Sequence, residues 1–206
     1  MQTFTPKMVD LGKIDIDLIN IEDIAHALSN ICRYTGHTTE FYSVAQHSVI
    51  SSLVCDEHPF ISLMHDAAEA YVGDQSRPYK EVVTAGRLLE NQWHRAVAQR
   101  FGYPYPFPPM VKLVDSIMLS TEHRDVMKPG FGWFHDKFPR LIDKIVPISN
   151  KEAEKLFLER FEALQNDQRD GIVTGIRDFG LRFSVSHLSP DSESSWRGDY
   201  GELQGR

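Results

Sequence analysis

Cysteine is scarce in this 206-residue chain, with only Cys32 and Cys55 present. Two are too few for a disulfide framework, and both fall within predicted helices, so free buried thiols in a reducing compartment are expected. Long apolar runs are missing as well: nothing approaches the roughly 20 residues that span a bilayer. The opening residues, MQTFTPKMVDLGKIDID, lack the charged start and apolar stretch of a signal peptide. A cytoplasmic protein without membrane contact is the expectation. Positive charge is in deficit, 22 Lys and Arg against 29 Asp and Glu, for a formal net charge of −7. That argues against coating a nucleic-acid polymer, which needs a basic face. It leaves room for a small anion, because a few local cations outweigh the global charge.

Convincing strands are also lacking, and helical patterns fill the space. NIEDIAHALSNIC repeats apolar residues at 21, 24, 28 and 31 behind Asn20 as a cap. SVAQHSVISSLVC opens on Ser43 with Gln46 three residues later, a capping-box pattern. HPFISLMHDAAEAYVG reads as one helix, with Pro59 in its first turn and Gly73 just past its end. EVVTAGRLLENQWHRAVAQRF is a long helix ended by the prolines of GYPYPFPP, and MVKLVDSIMLSTEHRDVM is another, stopped by KPGFG. SNKEAEKLFLERFEALQ, with Ser149 and Glu152 as a second capping box, closes the series. The expected fold is an all-α bundle of about six helices over residues 1–165. From 166 to 206 the composition turns Gly-, Ser- and Asp-rich. This tail reads as either disordered on its own or interface-forming, with GLRFSVSHL as one candidate strand.

The chemistry concentrates in HDAAEA, residues 65 to 70. On a helix His65 and Glu69 would stack on one face, with Asp66 about 100° round. The flanks FISLM and AAEAYV make that helix largely buried, and burying a carboxylate and an imidazole without partners costs several kcal/mol. A divalent cation would compensate. His47 lies on the apolar stripe of Val44, Ile50 and Val54, and Asp115 lies inside the apolar run VKLVDSIML. Each is odd alone, and one explanation covers both if His47, His65, Asp66 and Asp115 converge on a metal. Two imidazoles and two carboxylates suit one Mn, Co, Mg, Fe or Zn ion with positions left open. Between Asp66 and Asp115 the one histidine is His94, in a long helical pattern, which favours a single metal. His26, His37 and His123 read as structural or surface groups, with His37 also a candidate for the pocket mouth. Glu122 reads as a supporting carboxylate or ion-pair partner rather than a ligand.

The order H…HD…D resembles the HD-domain superfamily of metal-dependent phosphohydrolases. Three blocks carry a closer likeness over roughly residues 20 to 165: LSNICRYTGHTTEFYSVAQHSVISS, LMHDAAEAYVGDQSRPYK and VDSIMLSTEHRDVM. They are similar to the small HD proteins of bacteria, prophages and phages, among them 5′-deoxynucleotidases and dNTP hydrolases. The resemblance implies metal ligands at His47, His65, Asp66 and Asp115, and a catalytic carboxylate at Glu69. It further implies a phosphate-holding arginine at Arg33 and an aspartate contacting the sugar hydroxyl or water at Asp74. Lys80 falls where the family often has a basic residue, and Tyr34 takes an aromatic position beside the arginine. Arg77 is a further candidate substrate contact. A homodimer or larger assembly is implied too.

Phosphate esters hydrolyse very slowly in water, so the site must supply a strong nucleophile and neutralise developing charge, and one metal serves both needs. Glu69 would then move a proton or orient water, and Arg33 would clamp the phosphate. Arg33 and Lys80 plus one metal match a monophosphate dianion better than a triphosphate. The favoured reading is therefore hydrolysis of a dNMP to deoxynucleoside and phosphate. Two alternatives stay open: a dNTP triphosphohydrolase releasing tripolyphosphate, and an HD module that senses nucleotide without turnover.

Overall fold

The stretch VAQHSVISSLV forms α2 (Val44–Val54), and all of its residues are buried. Branched Val and Ile are indifferent helix formers, so packing rather than propensity makes this helix. It is surrounded by α1 (Ile21–Asn30), α3 (Pro59–Met64), α7 (Pro109–Asp125) and α8 (Asn150–Asp170). The remaining helices in this computed structural model, which describes residues 1–170, are α4 (Glu69–Val72), α5 (Arg77–Val82) and α6 (Thr84–Phe101). Apart from isolated bridges pairing Gln2 with Met8 and Cys32 with Ser43, no β pairing occurs among the described residues. The fold is the expected all-α bundle.

The core runs through Leu28, Leu53, Leu63, Ile117 and Phe157, each 2 % exposed or less. Burial of such side chains stabilises by about 1.5–3 kcal/mol each. Small polar residues on α2 let neighbours approach it. Arg160 of α8 donates from Nε to Ser52 Oγ at 2.7 Å and from Nη2 to the Ser52 carbonyl at 3.1 Å.

Asn20, Ser43 and Ser149 cap α1, α2 and α8 as expected, accepting from Asp23, Gln46 and Glu152 backbone N–H groups. The reciprocal half of the first capping box is not made. Gln46 instead donates to the Val146 carbonyl at 2.8 Å and accepts from Ile148 N–H at 3.1 Å. Both ends of a buried amide are satisfied by the α7–α8 connection, which this glutamine pins against α2.

Three boundaries differ from the sequence-based expectation. SRPYK forms α5, separated from α6 at Val83, because Pro78 suits a first turn and continues nothing before it. Cys32 and Cys55, both free, flank helices rather than lie within them. Helix α8 runs on to Asp170, beyond residue 165. The expected strand GLRFSVSHL, and all of the tail past residue 170, lie outside the described residues. No helix among the described residues is long and apolar enough to cross a membrane.

Candidate metal centre

The expected single helix over residues 59–72 is two helices joined by tight turns. Between Met64 and Glu69 the chain makes i→i+3 bonds, Ala67 N–H to Met64 O at 3.0 Å and Glu69 N–H to Asp66 O at 2.9 Å. At about three residues per turn, i and i+3 eclipse, so Glu69 aligns with Asp66 rather than stacking on His65. The tightening presents His65 and Asp66 together toward α2 and α7. Gly73, at φ 79°, ends the segment by donating to Glu69 O at 2.8 Å, a conformation that suits glycine alone among common residues.

His47 comes from the buried middle of α2, Asp115 from α7. His47, His65 and Asp115 each offer a ligand atom, all within 4.8 Å of one another, and form a cluster able to hold a metal ion. His47 Nε2 lies 3.2 Å from His65 Nε2 and 3.4 Å from Asp115 Oδ1. Asp66 adds Oδ2 at 3.6 Å from His47 Nε2 and Oδ1 at 3.4 Å from His65 Nε2. The far nitrogen of each ring is already engaged: His65 Nδ1 donates to Ser62 O at 2.7 Å, and His47 Nδ1 donates to Glu122 at 2.6 Å. The Nε2 lone pairs of both rings therefore face each other and two carboxylates.

A cation or a proton between the donors stabilises such an arrangement. Burial and Arg33 oppose protonation of His47, yet Glu122 and Asp115 hold its pKa up to about 9. His65 is pushed up too, Asp66 and Asp115 overcoming its burial. Burial likewise opposes ionisation of Asp115, but hydrogen bonds from His47 and His65 keep it well below the usual carboxylate range. Asp66 is held down, against burial, by His65, His47 and Arg33.

Around this cluster stand the other expected residues. Arg33, buried, donates to Asp66 Oδ2 at 3.3 Å and to Glu122 Oε2 at 3.1 Å, while its Nε has no partner among the described residues. It sits at the head of a tight turn in which Tyr34 and Thr35 both adopt left-handed backbone, at φ 54° and 55°. For non-glycine residues that costs about 1–3 kcal/mol each and persists only where surroundings impose it. Here Arg33 N–H bonds Tyr42 O at 2.9 Å, Thr39 N–H bonds Val126 O at 2.8 Å, and the Tyr34 hydroxyl donates to Glu122.

Glu69 is buried, and its Oε2 is also without a partner among the described residues. Burial raises its pKa well above the usual range, helped by the Asp66 and Asp74 carboxylates. Asp74 is half-buried and raised by that burial, with Arg33 acting against it. Lys80 reaches back toward these carboxylates, but its ammonium is committed to Glu90 Oε1 at 2.7 Å. Two of the candidate substrate contacts are exposed. Arg77 is exposed and pairs with Glu81 one turn along α5, and His37 is exposed on the turn after Thr35.

Two residues escaped the sequence reading. Tyr42 is fully buried and donates to Glu122 Oε1 at 2.9 Å. His135, on the short turn Phe134–Lys137, feels Asp115 as its strongest neighbouring charge, and its buried Nδ1 has no partner among the described residues. Nothing in EFYSV or GWFHDKF marks either one. His26 pairs with Glu154, His94 lies near Glu90 and stacks on Tyr105, and His123 bonds Asp136, so these three have structural partners.

No protein-family model matches the chain. It is 39% identical over 168 residues to uncharacterized protein YfdR of Escherichia coli strain K12, an alignment covering 80% of this chain and 94% of that protein. An uncharacterized protein of Rhodobacter capsulatus is 38% identical over 145 residues, 63% of this chain and 72% of the relative. With so high an identity maintained over nearly the whole of the Escherichia coli protein, the chain belongs to the YfdR family.

Proposed function

We propose that the protein is an HD-type, metal-dependent phosphohydrolase that releases phosphate from deoxynucleoside monophosphates. The observation that carries this reading is the pair of imidazole Nε2 atoms, 3.2 Å apart, facing each other and the carboxylates of Asp66 and Asp115. His47, His65 and Asp115, with Asp66 as the fourth donor, would hold one divalent ion of the Mn, Co, Mg, Fe or Zn kind. When bound, such a cation supplies Lewis acidity, making water a stronger acid and neutralising charge on a phosphoryl oxygen. The sequence likeness to HD enzymes supports the same assignment.

The chain's own groups supply the rest. Arg33 has a buried Nε without an acceptor, a deficit of about 1–3 kcal/mol that an anionic phosphate oxygen would remove. Burial holds the Glu69 pKa well above the usual carboxylate range, and its buried Oε2 has no partner among the described residues, so it is fitted to move a proton to or from substrate or water. Asp74, half-buried and under the charges of Arg33, Asp66 and Lys80, would accept from a sugar hydroxyl in this reading. Lys80 is already neutralised by Glu90. Arg33 is paired with Asp66 and Glu122 but keeps Nε open, so the side chains leave one buried cationic donor for the substrate, a supply suited to a monophosphate.

The deciding experiment incubates purified protein with dNMPs, NMPs and dNTPs, each with Mn or Co, and identifies both products. Orthophosphate and deoxynucleoside from dNMPs are expected. Tripolyphosphate from dNTPs with dNMPs untouched would overturn the substrate choice and keep the metal chemistry. Tight nucleotide binding without any product would replace the enzyme by a sensing module.

A further inference from the structure

Glu122 is fully buried on α7 and takes four donors on two oxygens. Oε1 accepts from His47 Nδ1 at 2.6 Å and from the Tyr42 hydroxyl at 2.9 Å. Oε2 accepts from Arg33 Nη2 at 3.1 Å and from the Tyr34 hydroxyl. One oxygen thus serves the histidine that points at the cluster, and the other serves the arginine and tyrosine at the strained turn.

We propose that Glu122 is a positioning residue: Oε1 keeps the His47 proton on Nδ1 so that Nε2 is open toward the cluster, while Oε2 anchors Arg33 and Tyr34. This inference rests on the metal reading above and adds the group that keeps His47 competent for it. An imidazole that donates from Nδ1 presents Nε2 as a lone pair, so the partner of one nitrogen selects the chemistry of the other. Of the two oxygens, only the one facing His47 controls that choice. Tyr42 reinforces it from a position that touches neither Arg33 nor Tyr34 through Oε2.

The division of labour makes Glu122→Gln informative. A glutamine has one acceptor oxygen and one NH2 group where the carboxylate has two acceptors. Guanidinium has no acceptor, so the NH2 group cannot face Arg33 and must turn toward His47 and Tyr42. The Tyr42 hydroxyl can rotate to accept. His47 can accept only by giving up its Nδ1 proton and carrying one on Nε2, which closes the lone pair toward the cluster. Arg33 keeps its oxygen.

The test uses the full-length chain with zinc as the sole probe. Calorimetric titration with Zn²⁺ should show a drop of about 10–100-fold in affinity for Glu122→Gln, the range typical when the group orienting a metal-binding histidine is lost. Long-range ¹H–¹⁵N correlation of the zinc-loaded wild type should show His47 protonated at Nδ1 and ligated through Nε2. In the zinc-free variant with His47 neutral, the ring proton should sit on Nε2. Equal zinc affinity in the two proteins, or a wild-type His47 without a proton on Nδ1, overturns the inference while the metal reading stands. Failure of the wild type to bind Zn²⁺ at all removes both. If Glu122→Gln does not fold, the zinc-free wild type decides at a pH where His47 is neutral: the proton on Nδ1 is expected, and a proton on Nε2 overturns the inference.

Discussion

The ring of charge around Glu122 and the rim formed by α5 use the same residue types under opposite conditions. Glu122, Arg33 and His47 are buried, and each charge meets defined partners at hydrogen-bond distance. Arg77 and Glu81 on α5 pair at 3.3 Å with roughly two thirds of each side chain exposed. In the first region desolvation makes an unmatched charge very costly, so the geometry is dictated. In the second, water screens and replaces any partner, so the geometry is incidental. Lys80 stands between the two, partly buried and held by Glu90. Arg33 and Glu69, the residues that the proposed function assigns to substrate, are both buried in the first environment.

The contrast breaks most sharply if one member of the buried ring is removed. Arg33→Met removes from Glu122 and Asp66 the cation they share and should destabilise the fold by about 3–5 kcal/mol, measured by urea denaturation. A loss below 1 kcal/mol would mean that the ring relaxes as easily as the rim.

Glu69→Gln keeps shape and removes the titrating group. Turnover should fall by about 10²-fold, equivalent to about 2.7 kcal/mol of barrier, with metal affinity retained. Near wild-type turnover with full metal occupancy would make Glu69 a structural residue.

The next effect is set by protons. In the metal-free protein the pKa of His47 is raised from 6.5 to about 9. Its stabilising contribution is therefore complete below pH 6.5 and is lost as pH climbs through about 9. Metal must displace that proton, so apparent affinity should rise with pH up to about 9 and then level off. The gain is at most tenfold, about 1.4 kcal/mol, per pH unit for each proton displaced. Melting temperature of the metal-free protein and Zn²⁺ affinity should thus move in opposite directions from pH 6.5 to 9. A parallel rise would show that the cluster does not hold the proton.

The smallest effect belongs to the rim. Arg77→Ala should change stability by no more than about 0.5 kcal/mol, because Arg77 is exposed and its ion pair with Glu81 lies along its own helix surface. Its KM for a dNMP should also stay near wild type. A large rise in KM would bring Arg77 back as a substrate contact.

Much of the bundle was legible before folding was considered. The caps at Asn20, Ser43 and Ser149 declare themselves by residue type, since a short side-chain oxygen ahead of a periodic run bonds the first free N–H groups. His47, His65 and Asp115 stand out because titratable groups inside apolar runs need a compensating partner. Less visible was the tightening between His65 and Ala68, where alanines and a histidine follow either helix geometry without preference. The left-handed pair Tyr34–Thr35 runs against local preference altogether and is imposed by bonds to Tyr42, Glu122 and Val126. Lys80 looked available for substrate because its partner, Glu90, is on the following helix.

From sequence alone came most of the helices, the apolar stripe of α2 and the set of donors that meet in the centre, because periodicity and the cost of buried charge act within a few residues of each site. Which nitrogen of His47 faces the cluster, how Glu122 divides its oxygens, and which cations remain for a substrate were decided only by tertiary packing. The first two depend on hydrogen bonds between residues 75 to 89 positions apart, as in His47–Glu122, Tyr42–Glu122 and Arg33–Glu122, and the third also on Lys80–Glu90, which joins two successive helices. Local pattern carries no information about such pairs until the helices have packed.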